Sequence, residues 1–375
     1  MKQTDTRKFS IYPGLCLPLF ALCLFFASCQ QSPLPSAATG ADDSLLDVAS
    51  VELAGDAATR ALIDGMETHV DGSAGTSGKI SAIGLYAVCA DGAEYLPAYG
   101  RNTATFYKQT SGKWQHAAGV SGDGSLRLSA SPAVNVYAWH PCILQPTYEN
   151  GAYIYISGIE ILANDDFTAG SQTDYLYACG SETSGGTTKA SVTSQHNPGL
   201  YFTLKHALAK LTFRVKTTSA IQDGALTLTK VVLKSPDNDI LTGSGSANRR
   251  MSLIDGVLNG LAETEKLTYT GTLALSQSGE DVVALVAPAS VKRFNFEFWV
   301  KPTADTDDSN LRKCQTKTLS SAVSWLAGKN YVYTVLVDGM SASLEGVPAV
   351  YEWTEEINDI PVSYTHLTLP TILRV

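Results

Sequence analysis

The sequence predicts an all-β fold, with antiparallel β-sandwiches placed behind a cleaved export signal. Period-two apolar runs bounded by Gly, Asn, Asp and Ser recur along the chain, and no long helical pattern recurs beside them. The composition agrees, with charged residues at only 17 %, 17 Tyr and 31 Gly.

The amino terminus opens with Lys2, Arg7 and Lys8, then an apolar run from Ile11 to Phe26, then Ala27-Ser28 and Cys29. Charge, apolar stretch and small-residue site in that order make a secretory signal peptide over residues 1–28. The run falls short of the roughly 20 residues that span a bilayer. A cysteine directly after the small pair resembles a lipobox, so Cys29 is the expected lipidation site and the precursor is expected at the outer membrane. Gln30 to Asp43, rich in Ser, Pro, Ala and Gly, cannot bury enough apolar surface to fold and reads as a tether. Ser44 to Val70 suits a helix as well as a strand, and periodicity does not choose.

Strand patterns follow in order. Ile83, Leu85, Ala87 and Cys89 alternate with Gly84, Tyr86 and Val88, and 134–139 and 153–156 follow. In 207–216 the set Ala209, Leu211, Phe213, Val215 opposes Lys210, Thr212, Arg214, Lys216, the cleanest half-buried strand in the chain. Runs at 226–233, 282–286, 294–300 and 331–337 complete the series. Gly185-Gly186 and Asn197-Pro198 make 181–198 the expected linker between sandwiches spanning 61–190 and 191–361. Val362 to Thr371 matches in one frame the translation of a sequencing-library adapter, with Ile372 to Val375 then read from the adjoining index, so 362–375 is set outside fold reasoning.

With a net charge of −9 and no basic stripe, nucleic-acid binding is not expected. Cys89, Cys142, Cys179 and Cys314 lack C-x-x-C spacing, so neither a zinc knuckle nor a redox motif is present. Export permits disulfides, although buried thiols are the preferred reading. No H-E-x-x-H, G-x-S-x-G or G-x-G-x-x-G occurs, and Gly78-Lys79 fails the phosphate-loop pattern. His69, His116, His140, His196 and His206 are scattered. Asp165-Asp166 reads as a turn, and Asp305-Thr-Asp-Asp-Ser309 as a solvated hairpin tip without the glycine and glutamate of a calcium loop. No catalytic residue, cofactor or metal is expected, and the chain does not read as an enzyme.

Several segments together resemble the fimbrillin family, the type V pilin subunits of Bacteroides and its relatives. Besides the lipobox, these are Thr59-Arg60, Asp174-Tyr-Leu-Tyr-Ala178, Phe202-Thr-Leu-Lys-His-Ala-Leu-Ala-Lys-Leu-Thr-Phe-Arg-Val215, and Gly328-Lys-Asn-Tyr-Val-Tyr-Thr-Val335 followed by Trp353. The resemblance implies two tandem transthyretin-like sandwiches and assembly by strand exchange. An arginine-specific protease would cut between Arg60 and Ala61, freeing a pro-segment over 29–60 whose strand lies at 45–53. A carboxy-terminal extension from another fimbrial subunit would fill the groove. The subunit would pass from the outer membrane to an extracellular fimbrium and act in adhesion to a host protein or glycan. The competing reading is a non-polymerising surface lipoprotein that binds glycans, stacking them on Trp114, Trp139 or Trp299.

Overall fold

The computed structural model describes residues 44–54, 80–97, 101–109, 111–117, 126–149, 153–167, 172–196, 199–244 and 248–353. Cys29, Arg60, Ala61 and the 362–375 stretch lie outside the described residues. Among those described, every regular element is a strand. In the first half run β1 (Ser44–Leu45), β2 (Val48–Leu53), β3 (Ala82–Cys89), β4 (Thr103–Lys108), β5 (Trp114–His116), β6 (Arg127–Leu128) and β7 (Val134–His140). Then come β8 (Pro146–Glu149), β9 (Tyr153–Ser157), β10 (Asn164–Asp166), β11 (Leu176–Ser181), β12 (Ser191–Val192) and β13 (Leu200–His206). The second half holds β14 (Ala209–Thr217), β15 (Leu226–Lys234), β16 (Ile240–Thr242), β17 (Arg250–Ser252), β18 (Leu258–Asn259), β19 (Ala262–Thr264) and β20 (Lys266–Ala274). It ends with β21 (Glu280–Val286), β22 (Ala289–Val291), β23 (Asn295–Pro302), β24 (Arg312–Gln315), β25 (Val323–Trp325), β26 (Lys329–Val337), β27 (Ala342–Leu344) and β28 (Ala349–Glu352).

The largest sheet runs β2-β13-β11-β7-β3-β4-β5, with β12 also on β7. Its inward side chains, among them Ile83, Leu85, Val136, Leu176, Leu200, Phe202 and Leu204, form one core. The other face is covered too. Tyr86, Val88, Tyr137 and Trp139 pack with Ile154, Ile156, Met251, Leu285 and Trp353 in a second cluster. That double cover is why β3 and β7 are buried at every position although their sequences alternate. Gly84 sits where β3 passes Trp139, and a Cβ there would come within 2.2 Å of the indole carbons.

The other main core lies between β10-β20-β15-β23-β24 and β21-β14-β26. The expected inward set of β14 holds without exception: Ala209, Leu211, Phe213 and Val215 are fully buried. Phe213 meets Phe296 edge-on at 4.7 Å, and Phe296 meets Tyr333 at 4.9 Å. Such contacts add to the area term.

Pairing is mainly antiparallel, as the patterns suggest, but β2–β13, β10–β20 and β14–β26 are parallel. Parallel neighbours need long crossovers, a tertiary property that no local run encodes. The 181–198 stretch also differs from expectation. It joins β11 to β13, which pair with each other, so it is a loop within one sheet. The chain passes from the first core to the second later, between β13 and β14, at Ala207-Leu208.

Candidate functional site

Two neighbouring features make up the site. The first is β2 in its seat. The ambiguous segment before Arg60 is a strand where it is described, pairing parallel with β13 so that Val51 faces Phe202 and Leu53 faces Leu204. Leu46, Val48 and Leu53 are buried and Val51 packs beside them on the first core. Glu52 points outward to the Ser184 hydroxyl at 2.8 Å. Backbone bonds close both ends: Leu200 N donates to Asp47 O at 3.0 Å and Ala54 N to Leu204 O at 2.7 Å. Among the described strands, β2 is the edge of its sheet and β13 its one partner. Lifting it away would uncover Leu200, Phe202 and Leu204, each at most 1 % exposed, and one row of β13 backbone groups.

The second feature is a junction of separate segments at the end of β13. His206 Nδ1 donates to Asp174 Oδ2 at 2.7 Å, both side chains being almost fully buried. The Trp353 indole stacks on the His206 ring, centroids 3.7 Å apart and planes within 8°. Trp353 N donates to Gly328 O at 2.8 Å, and Gly328 N donates to Leu208 O at 2.8 Å. Ala207 N donates to Tyr175 O at 2.8 Å. Gly328, with φ of +70°, takes the left-handed turn into β26 that a Cβ would strain. A cavity of about 290 Å³ opens beside the junction, lined by Ala54, Tyr177, His206, Gly328, Glu352 and Trp353 among others. The last residue of the seated segment and the root of the carboxy-terminal segment therefore share one opening.

The sequence profile described as Fimbrillin-like matches residues 59–353. The chain belongs to the fimbrillin-like family. The four segments of this fimbrillin-like chain quoted for the resemblance, those at 174–178, 202–215, 328–335 and Trp353, are the ones that build the junction. Membership supports a fimbrial subunit at the cell surface. Among solved structures, the chain is similar to a presumed cell adhesion protein from Bacteroides ovatus ATCC 8483 at 14 % identity and TM-score 0.52, covering 84 % of this chain and 99 % of that one. A presumed cell adhesion protein from Bacteroides uniformis ATCC 8492 follows at 15 % identity, 83 % and 99 % coverage and TM-score 0.47. A fimbrial protein from Bacteroides vulgatus ATCC 8482 matches at 12 % identity, 72 % and 93 % coverage and TM-score 0.43. At these identities the likeness is one of fold. No curated protein matches.

Of the residues named from sequence, Cys29, Arg60 and Ala61 lie outside the described residues. Trp114 and Trp139 are buried, which corrects the expectation that they offer stacking surfaces for sugars. Trp299 is half-buried beneath the Lys230 ammonium at 4.6 Å. Asp165-Asp166 is the end of β10 and pairs with β20, so the expected turn is a strand. Asp305–Ser309 is the solvated tip between β23 and β24, where Asp307 Oδ1 accepts from Ser309 N at 3.0 Å. His140 is a buried strand end with Nδ1 3.1 Å from Ala82 O. The four described cysteines are unbonded to one another. Burial pushes the Cys314 and Cys89 thiols up, away from the thiolate form a nucleophile needs. Burial likewise pushes Tyr175 and Tyr333 up to about 12.

The family segments are visible in the sequence, but their meeting is not. Asp174, His206 and Trp353 are separated by 32 and 147 positions, and a period-two pattern carries no sign of such contacts.

Proposed function

We propose that this chain is a structural subunit, stalk or tip, of a fimbrium assembled by protease-triggered strand exchange. The precursor is carried to the outer membrane by lipid on Cys29. An arginine-specific protease cuts between Arg60 and Ala61, and β2 leaves with the pro-segment. A strand from the carboxy-terminal extension of the next subunit takes its place, satisfying the β13 backbone and refilling the first core. The finished polymer is extracellular and serves in adhesion. One observation carries this reading: β2, amino-terminal to Arg60, is a sheet-edge strand whose side chains nonetheless complete a core.

The test treats purified precursor, expressed with its genomic sequence after Pro361, with an arginine-specific protease beside an Arg60→Gln control. Loss of the pro-segment with a ladder of multimers, absent from the control, is the expected result. A cut subunit that keeps β2 and stays monomeric overturns the reading.

A further inference from the structure

The carboxy-terminal strand β28 is held in an unusual way. All four of its residues are exposed, Val350 at 52 % and Tyr351 at 49 %, so it rests on its ladder to β26 and on a Lys329–Glu352 ion pair at the surface. Exposed pairs of that kind contribute little. The residue that follows is the opposite case. Trp353 is 1 % exposed, lies in the cluster that joins residues of both halves of the chain, and is stacked on His206. Asp174 fixes the His206 ring from behind, and the Lys210 ammonium lies 5.9 Å from the indole centroid. Asp174 Oδ1, His206 Nε2 and Trp353 Nε1 are buried without a hydrogen-bond partner among the described residues. Such a polar socket is a costly way to gain stability, but it selects one ring orientation.

We propose that Asp174 and His206 form a socket in which Trp353 anchors the carboxy-terminal segment, so that this segment is tied to the buried body of the subunit rather than to β28. Asp174 and His206 are positioning residues, and Trp353 is the pin. Resting on the strand-exchange reading, the consequence is mechanical. A strand donated from this end pulls on a side chain seated on His206 at the end of β13, and the weak β28 ladder is bypassed.

Hydrogen exchange on the full precursor decides it. Trp353→Ala should speed exchange of the β28 amides roughly a hundredfold or more, since Trp→Ala in a packed site removes most of what holds the segment. The β14–β21 ladder should not change. Tyr351→Ala, on the same strand but outside the socket, should leave β28 within about threefold of wild type. If Trp353→Ala does not fold, Trp353→Leu keeps apolar volume without the ring and should loosen β28 about tenfold. Unchanged protection in the Trp353 variants, or equal loosening by Tyr351→Ala, overturns the anchor. Cut and assembled Trp353 variants should also come apart at lower urea than wild type, and equal urea resistance overturns the mechanical consequence. If wild-type precursor forms no polymer, the fimbrial reading fails, while the exchange result still decides the anchor.

Discussion

Truncating the buried side of β2 tests whether the strand is truly seated. Val48 is 4 % exposed and Leu53 is 8 %, so replacement by alanine removes carbons that are almost wholly out of water. At about 0.8 kcal/mol per carbon, Val48→Ala costs about 1.6 and Leu53→Ala about 2.4 kcal/mol. The sites lie roughly 17 Å apart along the strand, far enough to add to about 4 kcal/mol together. Residual cavities would raise the cost, and the freedom of an edge strand to settle would lower it. For a compact unit of about 330 residues, whose unfolding entropy is about 0.7 kcal/mol/K, 4 kcal/mol is a fall of about 6 °C in Tm. Thermal unfolding of uncut precursor, followed by circular dichroism, reads the shift directly. Glu52→Ala is the control, because Glu52 points to solvent from the same strand and should move Tm by about 1 °C or less. If the double variant melts no lower than Glu52→Ala, β2 does not complete the core. Its removal would then open no groove.

Gly84→Ala drives a methyl to within 2.2 Å of the Trp139 indole, and overpacking of that kind should cost about 1–3 kcal/mol or more, read as loss of soluble protein or a lowered urea midpoint. Asp338 is held below the usual carboxylate range by hydrogen bonds from Ser341 N, Met340 N and the Ser341 hydroxyl. Its folded-state pKa is depressed, so the stability it contributes is present above about pH 4 and lost as pH falls through the folded value. Asp338→Asn should therefore flatten the loss of urea midpoint as pH falls below about 4. Tyr175 and Tyr333, pushed up to about 12 by burial, act in the other direction. Their stability is whole below the unfolded value of about 10 and is lost as pH rises through the folded one. Tyr333→Phe should then blunt alkaline unfolding, and a tyrosinate titration in which all tyrosines ionise near pH 10 before unfolding would contradict the burial assigned to them.

What was legible in the sequence was what repeats locally. The alternation in 207–216 located β14 and its inward face residue by residue, because a half-buried strand writes its environment in every second side chain. The same rule could not say that Gly84, Tyr86 and Val88 are buried as well, since an apolar outward set looks alike on an edge and under a second layer. Turn-rich composition at 181–198 suggested a linker, yet glycine and proline report that the backbone turns and not what the turn connects. The actual passage between cores, Ala207-Leu208, is hidden inside an apolar run because both residues are fully buried. For the candidate site, composition alone left 44–70 undecided. Burial of Leu46, Val48 and Leu53 and the ladder to β13 gave the described part, 44–54, a conformation.

β13 links the two halves of the site. Its residues Leu200 to Leu204 carry the β2 ladder, and two positions further on His206 carries Trp353. A strand held on both sides by ladders is hard to bend, and one held on β11 alone is softer, so leaving the β2 seat empty should loosen the strand that bears the socket. Filling the groove restores the second ladder. In a polymer each subunit would then grip its own carboxy-terminal segment best when its groove is occupied by a neighbour, which couples one junction to the next along the fibre. Exchange of the β28 amides, measured in cut subunit with the groove empty and again after adding a peptide of residues 44–54, separates the cases. Faster exchange in the empty form that the peptide reverses supports the coupling. Identical exchange in both forms would show that β13 holds His206 in place from β11 alone.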